Sequence, residues 1–422
     1  MASIPRPVRL LGWSSLFTDA ATEMIYPLLP VYLSRVLGAG ALSLGVIEGV
    51  AEAVNSLLKV VSGYLSDRWT RRRPIVIAGY LLSSVARPFV AVTGSWPQVL
   101  LVRALDRTGK GIRGAPRDAM LARFAAKGDR GRVFGFHRAM DHTGAIVGPL
   151  GASALLLLAP GDYRLVFALT IVPGAVAVAL LFLVPEPGLP AAAERRDGTP
   201  GPRPTYVGRV PRLDEKEARR GPAGTLPRQL WTFLAIVLLF SLGNSADAFL
   251  LLRVSEAVGS VAYIPVLWSA FHVVKASLAT WGGSLSDRLG RKQVIVMGWL
   301  VYAVVYLGFA VSDGAAALVA WFLAYGVYFA LTEGAEKALI ADLAPADRHG
   351  AAFGFYNAAL GVGALTASVA FGLLYERVGA GAAFGAGAAL AGTAAIVLLI
   401  ARVDAPADAK IASSDVPHSG HQ

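Results

Sequence analysis

The chain has 422 residues, of which 55% are hydrophobic and only 16% charged, and its mean hydropathy is +0.56. Soluble globular proteins carry about 25% charge, so this composition describes an integral membrane protein. The net charge of +11 falls in short loops between apolar runs, a topogenic distribution that argues against nucleic-acid binding. The absence of cysteine excludes disulfides and thiolate metal sites.

Apolar segments of about 20 residues or more recur along the chain, a length that fits membrane helices rather than barrel strands. The sequence predicts an all-α protein with spans near 8–33, 41–65, 74–94, 97–122, 132–159 and 163–184. A second set follows near 229–252, 260–282, 293–312, 315–343, 350–375 and 379–402. The first run, beginning near Val8, lacks the short apolar region and small-residue cleavage site of a signal peptide. The stretch 185–228 is rich in Pro, Gly and charge and reads as a linker. The expected organisation is a six-helix bundle (1–184), a cytoplasmic linker (185–228), a second six-helix bundle (229–403) and a disordered cytoplasmic tail (404–422).

Loop charge orients the chain. Arg68, Arg71, Arg72 and Arg73 follow helix two, and Arg123, Lys127, Arg130 and Arg132 follow helix four. Nine Lys/Arg lie between Arg195 and Arg228, whereas the loops after helices three and nine have none. The positive-inside rule then puts both termini in the cytoplasm, with the protein a multi-pass component of the cell (inner or plasma) membrane. An internal repeat supports the division into halves. The run from Gly63 to Arg72 returns from Gly283 to Lys292 at an offset of 220, and Phe134-Gly135-Phe136 returns as Phe353-Gly354-Phe355 at 219. Repeats that keep order and spacing indicate duplicated halves related by an axis along the membrane normal.

The doubled loop carries a resemblance. Gly283, Asp287, Arg288, Gly290 and Arg291 complete the pattern G-x-L-x-D-R-x-G-R-K, and Gly63, Asp67, Arg68 and Arg71 repeat it with Thr70 where a glycine is usual. The chain therefore resembles the major facilitator superfamily from about Val8 to Arg402. That resemblance implies two six-helix bundles rocking about a central site, a monomer, and a small-molecule substrate. It also assigns the paired loops to gating, where glycines allow close approach and aspartates cap helices or pair with arginines across the interface. Helix five adds Gly135, Gly144, Gly148-Pro149 and Gly151, which resembles the antiporter motif of proton-coupled drug and metabolite exporters. It departs from that motif at Ala152-Ser153.

Charge inside the spans is the sharpest signal. In helix four Arg103, Asp106, Arg107, Lys110, Arg113 and Arg117 recur every three or four residues, so they share one face. Five basic groups facing lipid would cost about 12–18 kcal/mol at 2.5–3.5 each, so the face must look inward. Helix one carries Asp19 and Glu23; helix two, Glu48, Glu52, Asn55 and Lys59; helix five, His137, Arg138, Asp141 and His142. Leaving out the first two residues of each span, the first-half helices hold seven acids and eight Lys/Arg, a near balance that makes pairing the expected state. Asp19, Glu23 and Asp141 are the candidate proton sites, and Arg103 holds the position of the family's helix-four arginine, which the resemblance associates with proton coupling. Glu48, Glu52, Asn55, Arg107, Lys110, Arg113, His137, Arg138 and His142 are candidates for the cavity.

The second half is sparer. Asp247, His272, Lys275, Tyr356 and Asn357 are its cavity candidates, with Trp268, Tyr325 and Tyr328 as aromatic lining or packing. Gly109–Gly114 matches G-x-G-x-x-G but follows no strand, so a dinucleotide site is rejected. No phosphate-binding loop, metal set or cofactor site is expected; His137 and His142 are five apart and do not share a face. The expected function is secondary transport of a small organic solute, by proton-coupled efflux or by proton-coupled import of an anion. A receptor or a membrane-embedded enzyme are remote alternatives.

Overall fold

A computed structural model describes residues 4–68, 71–125, 130–186, 226–258, 260–345 and 348–403. Twelve long helical segments account for nearly all of them. In the first half these are α1 (6–36), α2 (Ala41–Arg68), α3 (73–92), α4 (Trp96–Phe124), α5 (Arg130–Leu158) and α6 (163–182). In the second they are α7 (228–257), α8 (Ile264–Leu289), α9 (Arg291–Val311), α10 (Ala315–Leu343), α11 (His349–Arg377) and α12 (Ala380–Ile400). Among the described residues, ten helical segments are long and apolar enough to cross a membrane; α1 and α4 are not among them. Their deficit is polarity: α4 alone carries Arg103, Asp106, Arg107, Lys110, Arg113 and Arg117.

Local chemistry shapes the ends and the breaks. Pro7, Pro97 and Pro265 sit in the first turns of α1, α4 and α8, where a missing N–H costs nothing. The Glu186 carboxylate accepts from the amides of Arg72, at 2.7 Å, and Arg73, supplying the N-terminal cap that α3 lacks locally. Pro27 and Pro30 interrupt α1, which tightens into a 3-10 turn over Tyr26–Leu28 and widens over Tyr32–Val36.

Helix seven departs from the single span that its hydropathy predicts. It breaks between Arg228–Gly243 and Ala248–Ala257, at the turn-forming run Asn244-Ser-Ala-Asp247. Broken backbone at this depth survives only where protein groups satisfy it. Here Tyr302 donates to the Gly243 carbonyl at 3.0 Å, the Ala246 amide donates to Ser368 Oγ at 3.3 Å, and the hydroxyls of Ser245 and Tyr306 meet at 3.0 Å.

Packing repeats with the sequence. Within the first half α1 packs on α5 and α6, α2 on α4, and α3 on α4 and α6. Each of these pairs returns six helices later, as α7 on α11 and α12, α8 on α10, and α9 on α10 and α12. The halves meet along α2–α11 and α5–α8, which the same shift exchanges. The expected linker and tail fall mostly on 187–225 and 404–422, outside the described residues.

Hydrogen bonds between the halves, among the described residues, lie in the part of the molecule away from the termini. Arg35 donates to the Ser255 carbonyl at 2.9 Å, the Leu42 amide to Glu376 at 3.0 Å, Ser153 to the Ala262 carbonyl, Ser269 to the Ile146 carbonyl at 2.9 Å, and Trp268 to Glu23 at 2.7 Å. The molecule is thus closed at the end opposite its termini.

Candidate functional site

The buried apolar residues of the first half fall into two clusters. One, with Met24, Val99, Leu156 and Phe167, merges with the second half; the other, with Val8, Tyr80, Met120 and Leu181, lies toward the terminal end. The charged residues of α1, α2, α4 and α5 occupy the gap. Arg103 grips Glu48 in a fork, Nη2 lying 2.8 Å and 3.0 Å from the two carboxylate oxygens and Nε 3.2 Å from Oε1. Both side chains are buried. Arg87 of α3 holds Asp106 at 2.9 Å, and Arg103 approaches the same carboxylate at 3.7 Å. Four charges therefore tie α2, α3 and α4 together, an arrangement in which removal of one member strands another in low dielectric.

A second group joins α1 to α5. Asp141 accepts from Ser15 and faces His137 Nδ1 at 3.4 Å and Arg138 at 3.9 Å. Close helix approach makes this possible: a Cβ on Gly144 or Gly148 would strike the α1 backbone at Leu16 and Ala20. The other glycines of that motif behave differently. Added Cβ atoms at Gly135 and Gly151 meet nothing within 4 Å, so only half of the expected small-residue seam packs helices.

Three cations in this region have no contact partner. Arg107 is 8% exposed, and it, Lys110 and Lys59 make no ion pair or hydrogen bond among the described residues. Their nitrogens are also absent from the polar atoms sealed away from solvent, so they open onto accessible space. The acids nearby are mostly engaged. Glu52 accepts from Asn55 and Ser56 of its own helix at 3.2 Å, Glu23 accepts from Trp268, and Asp19 alone lacks a hydrogen bond.

Several expected cavity residues lie elsewhere. Arg113 turns toward α3, donating to Ser83 at 2.8 Å with its guanidinium 4.4 Å from the Tyr80 ring. His272 is wedged against Trp268 and Phe271, with both ring nitrogens sealed and unbonded. Tyr356 donates to Glu336 at 2.6 Å beside Trp299, which donates to the same carboxylate at 2.9 Å. Asn357 bonds back to the Phe353 carbonyl. All four are bonded to or sealed by neighbouring protein groups in this conformation. Lys275 pairs with Glu333 at 3.1 Å and lies 4.2 Å from the Phe329 ring. Asp247 accepts from Tyr325 at 2.8 Å at the break in α7, and His142 is half-buried on α5.

The gating loops are described in part. The side chains of Asp67, Arg68 and Asp287 lie outside the described residues, as does Gly63 beyond its place in α2. Gly283 does not provide close approach, since a Cβ there meets nothing within 4 Å; its neighbour Gly282 packs on the Ala330 carbonyl instead. Gly290 takes φ 97° to turn α8 into α9, a conformation that favours glycine. Arg291 contacts Ser286 and Asp342 within the second half, and Arg71 and Arg288 are exposed.

Sequence reasoning missed Ser15, Arg87, Tyr26 and Trp299. Arg87 was visible as an intramembrane charge, but its partner depends on how α3 meets α4. The ring of Tyr26, 5.7 Å from the Arg103 guanidinium, carried no polar signal.

Two pseudo-symmetric six-helix sets enclosing a charged centre define a secondary transporter. The profile of the Major Facilitator Superfamily matches residues 11–259 and 234–419. An MFS-type transporter of Methanocaldococcus jannaschii is 32% identical over 379 residues, 88% of this chain and 89% of that one. The multidrug resistance protein MdtH of Photorhabdus laumondii is 29% identical over 134 residues, 32% of this chain and 33% of its own length. Among solved structures, an inward-facing, unoccupied bacterial homologue of the human lysosomal transporter Spinster aligns with a TM-score of 0.68 and 17% identity over 98% of both chains. The chain belongs to the Major Facilitator Superfamily. It is a multi-pass membrane protein and a secondary transporter that works by alternating access, not an enzyme.

Proposed function

We propose that the protein couples proton movement to the export of a small organic solute across the cell membrane, with both termini cytoplasmic. The observation that carries the coupling is the bond from Trp268 of α8 to Glu23 of α1. It spans the two halves, so rocking breaks it. A carboxylate whose donor is present in one conformation and absent in the other binds protons differently in each, and that difference is what coupling requires. Asp19, one turn away on α1, and Asp141, anchored on α5, extend the route. Export is supported by the partial likeness to MdtH and by the α1–α5 packing at Gly144 and Gly148. Loop charge supports the orientation.

A second reading, proton-coupled import of an anionic solute, is favoured by the unpartnered Arg107 and Lys110. The test is pH-gradient dissipation in everted membrane vesicles challenged with a solute panel. The exporter dissipates an inside-acid gradient when its solute is added, and Asp19→Asn and Asp141→Asn lose that response while staying in the membrane. Normal coupled flux in both variants would remove Asp19 and Asp141 from the route, and normal coupled flux in Glu23→Gln would overturn the proton assignment.

A further inference from the structure

We infer that Arg107 and Lys110, with Lys59 facing them from α2, form the anchoring site for an anionic group, a carboxylate or phosphate, on the transported solute. The inference deepens the transport reading above and holds for either direction of transport.

Arg103 is taken by Glu48 and Asp106, Arg87 by Asp106, Arg117 by Asp118, and Arg138 by Asp141. On the acidic side, Glu48 and Asp106 are spent in those pairs, Asp141 also holds Ser15 and His137, Glu23 holds Trp268, and Glu52 is held within α2. What is left without a contact partner is three cations and one carboxylate, Asp19. Neutral donors do not cancel the charges of Glu23 and Glu52, so the groups without an ion pair among the described residues are Arg107, Lys110, Lys59 and Arg113 against Asp19, Glu23 and Glu52, a surplus of one positive charge.

Geometry makes the excess usable. Arg107 and Lys110 are three apart on α4, so their Cβ atoms lie about 5–6 Å from each other on one face, a span that one carboxylate or phosphate group bridges. Lys59 comes from the stretch of α2 that packs against α4 next to Lys110: Ser62 donates to the Gly111 carbonyl at 2.8 Å, and a Cβ on Gly111 would strike Leu58. A buried guanidinium without a partner is costly, yet Arg107 is more than nine-tenths buried and its nitrogens remain open. Arg113 on the same helix shows the alternative, with its head folded onto Tyr80 and Ser83. The planar fork of Arg107 gives two parallel donors for an oxyanion, and Lys110 adds a mobile point charge.

The experiment is thermal unfolding of the purified full chain in detergent, with no gradient, so that binding is read apart from coupling or direction. Succinate, citrate, inorganic phosphate and a hexose 6-phosphate are titrated at constant ionic strength against chloride. Succinamide and the parent hexose serve as uncharged controls. At least one anion is expected to raise the midpoint saturably while the controls do not. Lys110→Gln, at a half-buried position with open nitrogens, is expected to weaken that anion at least tenfold and to raise the midpoint of the unliganded protein by removing an unpartnered charge. Arg107→Gln should abolish the anion response. Failure of all four anions to stabilise, equal stabilisation by uncharged controls, or an unliganded Lys110→Gln protein with a lowered midpoint would overturn the inference. A positive binding result with no pH-coupled flux in vesicles would instead leave the anion site standing and refute the proton-coupled reading.

Discussion

Trp268→Phe isolates the bond that joins the halves. The substitution removes the indole N–H that reaches Glu23 at 2.7 Å but keeps an aromatic ring against Tyr26 and Phe271, whose centroids lie 5.0 Å and 5.1 Å away. A hydrogen bond to a charged acceptor contributes about 1.5–3 kcal/mol net and one to a neutral acceptor about 0.5–1.5. If rocking breaks the bond, as the proposed coupling requires, its loss favours the alternate conformation by that amount. At 1.36 kcal/mol per tenfold, the population of that conformation rises about 13- to 160-fold for an ionised Glu23 and about 2- to 13-fold for a protonated one, while it stays the minority. The chain has no cysteine, so a single Ser255→Cys reporter is unambiguous. Ser255 is buried beside the Arg35 contact, and it becomes reachable when that end opens. The rate of maleimide labelling in detergent should rise by those factors in the Trp268→Phe background, and the size of the rise reports the charge on Glu23. A rate within twofold of the parent would show that the bond does not bias the conformational equilibrium, and the basis for coupling through Glu23 would fall.

Two further outcomes follow from packing and charge. Glu48→Met or Arg103→Met alone should destabilise the protein by about 3–5 kcal/mol by stranding the buried partner, whereas the double variant should recover most of that loss; additive effects in a double-mutant cycle of detergent unfolding would refute the pair. Gly148→Ala should cost about 1–3 kcal/mol by forcing α5 off the α1 backbone, whereas Gly151→Ala, which meets open space, should stay within about 0.5 kcal/mol; equal midpoints for the two would show that α1–α5 packing does not depend on that approach.

Much of the architecture is legible in the chain because the membrane restricts the choices. Apolar length, loop charge and the repeat at offsets of 220 and 219 specify twelve helices in two related sets, since a lipid environment admits helices and closed barrels only. The inward direction of the α4 face also follows from sequence, because exposure of five cations to lipid is prohibitive. Hydropathy alone predicts an unbroken α7, however, and a turn-forming run such as Asn244–Asp247 does not by itself break a membrane helix. Asn244–Asp247 can leave the helix only because Tyr302, Ser368 and Tyr306 converge on it from α9 and α11.

Partnership was decided in three dimensions. Arg103, Arg107, Lys110 and Arg113 lie on one helix and look alike in sequence, yet one is gripped by Glu48, one is folded onto Tyr80, and two are left open. Helical spacing determines which residues share a face. Whether a charge on that face meets an acid, a ring or accessible space depends on which neighbouring helix stands opposite it, and that is set by the packing of distant segments.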